Sequence, residues 1–270
     1  MTRVRAYTGA GAAVLRRDFQ TALSYRLQLI GTVFGSFVSL TIFYYVSRLV
    51  RVEPFESPDE YFAFVLVGLV IFAMLQALLG GAPVIVRQEL VAGTFARVVL
   101  SPLGPVAGIC AMLLFPFAIA LVTGTVTLLF GVAAFGVDLD LPRALLGFPV
   151  AFLAALSFAP FGLLSACLVL IVKQSALGVG LLLAAISLVS GLYFPVDLLP
   201  GWIGWAADVQ PFTPAVDLMR HLLVNAEMQS SPSVALLKLA AFGAAMLPLS
   251  LWLLAQTIGF TRRRGTIIEY

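Results

Sequence analysis

Long stretches without any charged residue are the feature of this sequence that most restricts its fold. Six of them approach or exceed the roughly 20 residues that an α-helix needs to cross a bilayer core about 30 Å thick. A soluble domain of 270 residues could not bury so much apolar surface, and an open sheet could not satisfy its backbone in lipid. The sequence therefore predicts a single all-α membrane domain over residues 1–270 with six transmembrane helices. The predicted spans are residues 27–47, 61–83, 106–136, 144–172, 175–195 and 239–261.

The basic residues are divided unevenly between the two sides of this topology. If both termini are cytoplasmic, eleven of the 16 Lys and Arg residues lie inside and five lie outside, in agreement with the positive-inside rule. One span more or fewer would remove this bias, so we expect a multi-pass protein of the cell membrane with both termini in the cytoplasm. The inner residues would be Arg3, Arg5, Arg16, Arg17, Arg26, Arg87, Arg97, Lys173, Arg262, Arg263 and Arg264, and the outer ones Arg48, Arg51, Arg143, Arg220 and Lys238.

Residues 1–26, which precede the first span, combine apolar and basic side chains at helical spacing. Val14 and Phe19 fall on one side of a helix, whereas Arg16 and Arg17 fall elsewhere. This pattern predicts an amphipathic helix on the inner membrane surface, with its basic side chains near anionic lipid. The alternative is a poorly ordered cytoplasmic tail.

Side chains that could support catalysis or nucleotide binding are scarce. The two lysines, Lys173 and Lys238, do not follow a glycine-rich phosphate loop. His221 is the single histidine, and no group of His, Cys and carboxylate residues has the spacing of a metal site. Ion-coupled transporters usually carry an ionisable residue within the membrane, and none lies near the centre of a predicted span. We therefore expect no catalytic residue, no cofactor, no metal and no nucleic-acid partner for this chain.

Two segments between the spans have informative sequences. Residues 87–103 are short and mixed in charge, and Gly93 and Pro102 interrupt them, which predicts a short surface helix that could dock on a cytosolic partner. Residues 190–220 are too apolar for an ordinary loop and too interrupted to span. They predict two short helices that dip back into the outer leaflet, with Thr213 as the N-cap of the second.

Each of these segments carries a spaced set of residues. The first set is Glu89, Gly93-Thr94 and Ser101-Pro102, and the second is Ser190-Gly191, Phe194-Pro195, Leu199-Pro200, Pro211, Thr213 and Arg220. The first set resembles the E…GT…(S/T)P motif, and the second the S-G…F-P…L-P…P-(L/F)-T…R signature, of ABC-2 type transporter permeases; the resemblance covers essentially the whole chain. The best-known relatives are drug-resistance permeases of the daunorubicin type. One departure is Phe95-Ala96, which stands where relatives often carry Leu-Glu.

The resemblance implies the membrane subunit of an ATP-driven exporter. A separate cytosolic ATPase would bind ATP and Mg, and the permease would pair with a second copy of itself or with a homologous permease. Residues 1–26 would form the elbow helix, and the substrate would be an amphipathic or hydrophobic drug, lipid or lipid-linked glycan. The implied residues for coupling to the ATPase are Arg87, Gln88, Glu89, Leu90, Gly93, Thr94, Phe95 and Arg97, and those for an extracellular gate are Phe194, Pro195, Leu199, Pro200, Trp202 and Pro211.

Two further sets of residues are expected at the dimer interface and along the substrate pathway. Small residues let helix backbones approach closely in lipid, and the resemblance implies a dimer through the first and fifth spans. The same small residues could instead pack within one subunit, and Gln76 could form an interhelical hydrogen bond rather than line a cavity. The dimer set is Gly31, Gly35, Ser39, Ala176, Gly180 and Ala184; the pathway set is Phe34, Tyr44, Tyr45, Phe72 and Gln76.

Two other functions stay open on the sequence alone. A secondary transporter or channel would need no ATPase. A lipid-modifying enzyme would need polar catalytic residues at one membrane interface, for which His221 and Asp217 are the candidates.

Overall fold

The computed structural model describes residues 2–24, 26–49, 55–100, 104–172, 176–228 and 230–264. Within these ranges the chain forms ten α-helices and one 3-10 turn and contains no strand, which confirms the all-α prediction. The helices are α1 (Thr2–Ser24), α2 (Arg26–Leu49), α3 (Pro58–Val91), α4 (Phe95–Val99), α5 (Pro105–Phe135), α6 (Leu141–Val172), α7 (Ala176–Val189), α8 (Gly201–Val209), α9 (Phe212–Val224) and α10 (Pro232–Arg263), and the 3-10 turn is Val196–Leu198.

Four of these helices, α3, α5, α6 and α10, are long and apolar enough to cross a membrane, and α7 contributes a shorter apolar segment. Helix α3 has 34 residues and extends about 50 Å at 1.5 Å per residue. Helix α2, with 24 residues, covers the first predicted span. The described helices therefore agree with a multi-pass membrane protein, and the count of six spans stays a prediction.

Helix α7 is shorter than the fifth predicted span, residues 175–195. It has 14 residues and ends at Val189. The chain turns after it because Gly191 adopts a φ of 72°, a left-handed conformation that glycine tolerates. Apolar composition continues to Pro195, so hydropathy alone could not place this boundary.

Helix α3 lies at the centre of the bundle and is buried along most of its length. It approaches α6 closely at Gly162, where a Cβ atom would lie 2.8 Å from the carbonyl oxygen of Leu78. One turn along α6, the Ser165 hydroxyl donates a hydrogen bond to the carbonyl oxygen of Leu79 at 3.0 Å. Small and hydroxylated residues at helix crossings are typical of membrane bundles.

The helix ends form two opposite faces. The α4 face consists of the end of α3, α4 and the start of α5, and its core includes Val86, Leu90, Phe95 and Ile109. The α9 face consists of the start of α3, the α5–α6 loop, α8 and α9. Helix α1 packs against α5, and its later residues reach the α4 face.

Candidate functional site

The loop between α3 and α4 begins at a tightly defined helix end. Gly93 has a φ of 68°; its N–H donates to the Leu90 carbonyl at 3.0 Å, and the Thr94 N–H donates to the Glu89 carbonyl at 3.0 Å. These two bonds form a Schellman motif. A Cβ atom at Gly93 would meet nothing within 4 Å, so the backbone conformation, rather than space, favours glycine here.

The carboxylate of Glu89 is the centre of a polar network on this face. The Thr94 hydroxyl donates a hydrogen bond to Glu89 Oε2, and Arg17 Nη1 lies 3.0 Å from Glu89 Oε1. Arg17 also pairs with Asp18 at 2.8 Å. The network therefore ties α1 to the α3–α4 loop.

Asp18 is the least satisfied member of this network. Its side chain is 10% exposed, and its Oδ2 atom is buried without a hydrogen-bond partner among the residues that the structure describes. Burial raises the pKa of Asp18 and the charge of Glu89 adds to this, although Arg17 acts in the opposite direction. Two carboxylates thus share one guanidinium group.

A second polar site lies on the α9 face, where Arg220 of α9 binds the turn that follows α7. Arg220 is 3% exposed and donates to the carbonyl oxygens of Gly191 at 2.9 Å, Leu192 at 3.0 Å and Phe64 at 3.0 Å. Its guanidinium carbon lies 3.2 Å from the centroid of the Phe64 ring, and Asp217 lies 3.9 Å away. A buried arginine therefore joins α9, α3 and the turn.

Helix α3 is shaped to receive this turn. A Cβ atom at Gly68 would lie 2.3 Å from the Leu192 carbonyl oxygen and 3.1 Å from Arg220 Nη2. The Tyr61 hydroxyl donates to the Tyr193 carbonyl at 3.3 Å. Three successive carbonyl groups, at 191, 192 and 193, are therefore hydrogen-bonded to α9 or α3.

The sequence profile of the ABC-2 type transporter family matches residues 11–224, from α1 to the end of α9. The chain belongs to the ABC-2 type transporter family. No curated protein sequence matches it. The matched region includes both the Glu89 network and the Arg220 turn. Membership makes the chain a membrane permease of a kind that is generally a non-catalytic component of transport.

The predicted coupling residues of this ABC-2 permease differ in exposure. Leu90 is 6% exposed and Phe95 is 1% exposed, because both pack in the core of the α4 face. Glu89 and Thr94 are partly buried in the network. The exposed members of the set are Arg87, Gln88, Gly93 and Arg97.

The predicted gate segment contains the two short helices that the sequence indicated, α8 and α9; their depth in the membrane stays a prediction. Trp202 is 76% exposed, whereas Pro211 is buried. The assignment of Thr213 as an N-cap is wrong, because α9 begins at Phe212 after Pro211 and the Thr213 hydroxyl lies 3.5 Å from the Ser190 carbonyl. Pro200 precedes α8 and is exposed, and the half-buried gate residues are Phe194, Pro195 and Leu199.

Most of the predicted dimer residues lie on open helix surfaces. Gly31 and Gly35 of α2 and Gly180 of α7 are exposed, and a Cβ atom at any of them would meet nothing within 4 Å. Ala184 is exposed and Ser39 is half-buried. The side chain of Ala176 lies outside the described part of the chain.

The five predicted pathway residues do not converge on one site. Tyr44 is half-buried among aromatic rings, with centroid distances of 5.3 Å to Phe62 and 4.6 Å to Phe135. Phe34 and Tyr45 are exposed, Phe72 is half-buried, and Gln76 is exposed without a hydrogen bond to any described residue.

Two surface cavities of similar size are present elsewhere on the bundle. One, of about 540 Å³, lies between α3 and α7 at the α4 face. The other, of about 560 Å³, is lined by α3, α5, α6 and α9 and is almost entirely apolar. None of the five predicted pathway residues lines either cavity.

His221 and Asp217, the candidate catalytic residues of an enzyme, make structural contacts instead. His221 Nδ1 lies 3.2 Å from the Ala226 carbonyl at the end of α9, and Asp217 faces Arg220. Among the residues that the structure describes, no group of three or more His, Cys, Asp and Glu side chains could hold a metal ion.

Proposed function

We propose that this ABC-2 permease is the membrane subunit of an ATP-driven exporter and that a separate cytosolic ATPase docks on its α4 face. The observation that carries the proposal is the Glu89 network, in which Arg17 of α1 and Thr94 of the loop meet one carboxylate. Exposed Gly93 and Arg97 lie beside it. The ATPase would bind ATP and Mg, and its conformational change on hydrolysis would be transmitted to this chain.

The path of that motion would run along α3. The Schellman motif makes the loop continuous with this helix, so a displacement of Glu89 would move the helix end. Gly68, which contacts the Leu192 turn, lies 21 positions earlier in α3, about 30 Å away along the axis. A displacement of α3 at the α4 face would therefore move the turn that Arg220 binds. This turn would act as the extracellular gate.

The assembly and topology follow the same proposal. Six spans would place both termini in the cytoplasm, with α8 and α9 in the outer leaflet. Two permeases, identical or homologous, would associate through α2 and α7, whose exposed glycines leave room for close helix approach. The substrate would be amphipathic or hydrophobic, as for permeases of the daunorubicin type.

Reconstitution with the ATPase tests the proposal. The ATPase that co-purifies with the permease would be reconstituted with it, and ATP hydrolysis and ATP-dependent flux would be measured in vesicles. Glu89→Ala should lose most of the stimulation of hydrolysis, because it removes the carboxylate that joins Arg17 of α1 to Thr94 of the loop. Asp138→Ala, in the exposed α5–α6 loop, is the matched control and should behave as wild type.

The two rival functions give different results in the same vesicles. A secondary transporter or channel would move substrate without nucleotide. A lipid-modifying enzyme would lose its activity in His221→Ala, a change that an exporter should tolerate. Wild-type stimulation by Glu89→Ala would show that the coupling site lies elsewhere.

A further inference from the structure

We propose that Asp18 is a proton-operated switch that sets how firmly α1 holds the α3–α4 loop. With a proton on Asp18, Arg17 binds Glu89 without competition; without the proton, the two carboxylates compete for Arg17 and the contact between α1 and the loop loosens. The switch itself is a property of this chain alone. Its effect on the ATPase rests on the proposed function, in which the Glu89 network is the coupling site.

The guanidinium group of Arg17 is fully used by the two carboxylates. Its Nε and Nη2 atoms lie 2.9 Å and 2.8 Å from the same oxygen of Asp18, Oδ1, and its Nη1 atom lies 3.0 Å from Glu89 Oε1. The second oxygen of Glu89 accepts a hydrogen bond from the Thr94 hydroxyl. Asp18 Oδ2 is therefore the one carboxylate oxygen of this network that has no donor among the residues that the structure describes.

A proton would satisfy this oxygen better than the ionised carboxylate allows. A buried acceptor without a donor is costly, and more so when it is charged. The side chains of Asp18 and Glu89 are only 10% and 14% exposed, so water compensates little. The ionised network carries two negative charges and one positive charge, whereas a proton on Oδ2 makes it neutral and turns that oxygen into a donor.

The charged groups that act on Asp18 are Arg17 and Glu89 among the described residues. Helix α5, against which α1 packs, contains no charged residue. Helix α2 carries charge at Arg26, whose side chain lies outside the described part of the chain, and at Arg48, which pairs with Asp59. Three further cations of the α4 face are exposed to solvent: Arg16, Arg87 and Arg97.

The direction of the pH effect follows from this environment. Burial raises the pKa of Asp18 above its ordinary value of 3.8, and the charge of Glu89 adds to this, although Arg17 opposes it. A carboxyl group with a raised pKa stabilises the folded state below the ordinary value, and this stabilisation is lost as the pH rises through the raised value. The contact between α1 and the loop is therefore firmest in acid and weakens as Asp18 ionises.

The switch lies where it can control coupling. Glu89 belongs to the last turn of α3, and the hydrogen bonds of the Schellman motif join this turn to Gly93 and Thr94. While Arg17 binds Glu89, α1 and the loop move together. Once this bond loosens, α1 no longer follows a displacement of the loop, so stimulation of the ATPase should fall as Asp18 ionises.

The test measures protonation and the α1–loop contact separately, in the purified full-length permease without ATPase. Infrared difference spectroscopy from about pH 4 to pH 8 follows the carbonyl stretch of protonated carboxyl groups. Electron paramagnetic resonance measures the distance between spin labels at Gln20→Cys of α1 and Ala96→Cys of α4, both at exposed positions. Cys110→Ala and Cys167→Ala remove the native thiols.

The wild type should lose the Asp18 band as the pH rises, and the distribution of label distances should widen over the same range. Asp18→Asn, which is neutral at every pH, should lack the band and keep the narrow distribution throughout; its difference from wild type isolates the Asp18 signal. Arg17→Gln should give the wide distribution at every pH, because it removes the contact. Asp138→Asn, at an exposed position, is the matched control and should repeat the wild-type behaviour. If Asp18→Asn does not fold, Asp18→Ala replaces it.

Three results would overturn the proposal. The absence of an Asp18 band would show that a bound water, rather than a proton, satisfies Oδ2. A band that titrates while the distance distribution stays constant would show that the proton does not control the contact. A distribution that still widens with pH in Asp18→Asn would assign the effect to another group. Because no ATPase is present, these outcomes are independent of the coupling test with Glu89→Ala.

Discussion

Replacing Arg220 with alanine should lower the free energy of unfolding more than replacing any exposed arginine. The side chain is buried and donates three hydrogen bonds, to Phe64, Gly191 and Leu192. Gly191 and Leu192 lie outside any helix, and no other described group donates to their carbonyl oxygens. Arg220→Ala would leave both oxygens without partners.

The magnitude follows from these contacts. A buried carbonyl that loses its partner costs about 1–3 kcal/mol. The stack on Phe64 contributes about 1–2 kcal/mol when desolvated, whereas removal of a buried charge recovers part of the desolvation cost. The Phe64 carbonyl lies in α3 and keeps its helical acceptor role. We therefore expect a loss of about 3–5 kcal/mol, the range for breaking a buried charged contact.

Equilibrium unfolding in detergent measures this loss, with tryptophan fluorescence as the signal, since Trp202 and Trp205 lie in the adjacent helix α8. Arg220→Lys should lose less, because its ammonium group keeps the charge but lacks the planar donor geometry. The control is Arg48→Ala, which removes an exposed pair with Asp59 and should cost at most about 1 kcal/mol. Equal destabilisation by Arg220→Ala and Arg48→Ala would refute the account of the turn.

Three further changes test particular contacts. Gly68→Ala should destabilise the protein by about 2 kcal/mol or more, because its Cβ would lie 2.3 Å from the Leu192 carbonyl oxygen. The control is Gly80→Ala on the same helix, whose Cβ would meet nothing within 4 Å and which should be neutral or stabilising. Similar shifts of the melting temperature for both variants would contradict the close approach. Gly93→Ala should lower the free energy of unfolding by about 1–2 kcal/mol, because an alanine is strained in the left-handed conformation of this position. Gly93→Asn should lower it less. Unfolding curves of both variants that coincide with the wild-type curve would contradict this. Burial raises the pKa of Asp18 above its ordinary value of 3.8, so the folded state holds its proton more tightly and stability falls as the pH rises through the window above 3.8. Asp18→Asn should flatten that fall in a series of melting temperatures, and an unchanged slope would show that Asp18 does not contribute.

The sequence was sufficient for the gross architecture because uncharged apolar stretches leave a chain in lipid few alternatives to helices. Gly93 also marked the break between α3 and α4 correctly, since its left-handed conformation is one that glycine favours. Hydropathy could not predict where α7 ends, because residues 190–195 remain apolar although the chain turns at Gly191.

The two polar sites depend on contacts between distant positions, which one sequence does not reveal. Arg17 and Glu89 are 72 positions apart, and in the sequence each one alone looks like an ordinary charged surface residue. Arg220 belonged to a recognisable motif, yet its partners are backbone carbonyls, which have no sequence signature. An arginine within a mostly apolar segment was the available signal. Phe95 was assigned to the docking surface through the family resemblance, whereas in the structure it fills the core below the loop.

The most direct test of the central claim is site-specific photo-crosslinking of the permease in its native membrane. Benzoylphenylalanine would be placed at Arg97 or Leu100, both exposed on the α4 face, and, as controls, at Trp202 or Trp205 on the α9 face. The account predicts adducts with a P-loop ATPase subunit from the α4-face positions only. Adducts from the α9 face, or none from the α4 face while ATP-dependent transport proceeds, would contradict it.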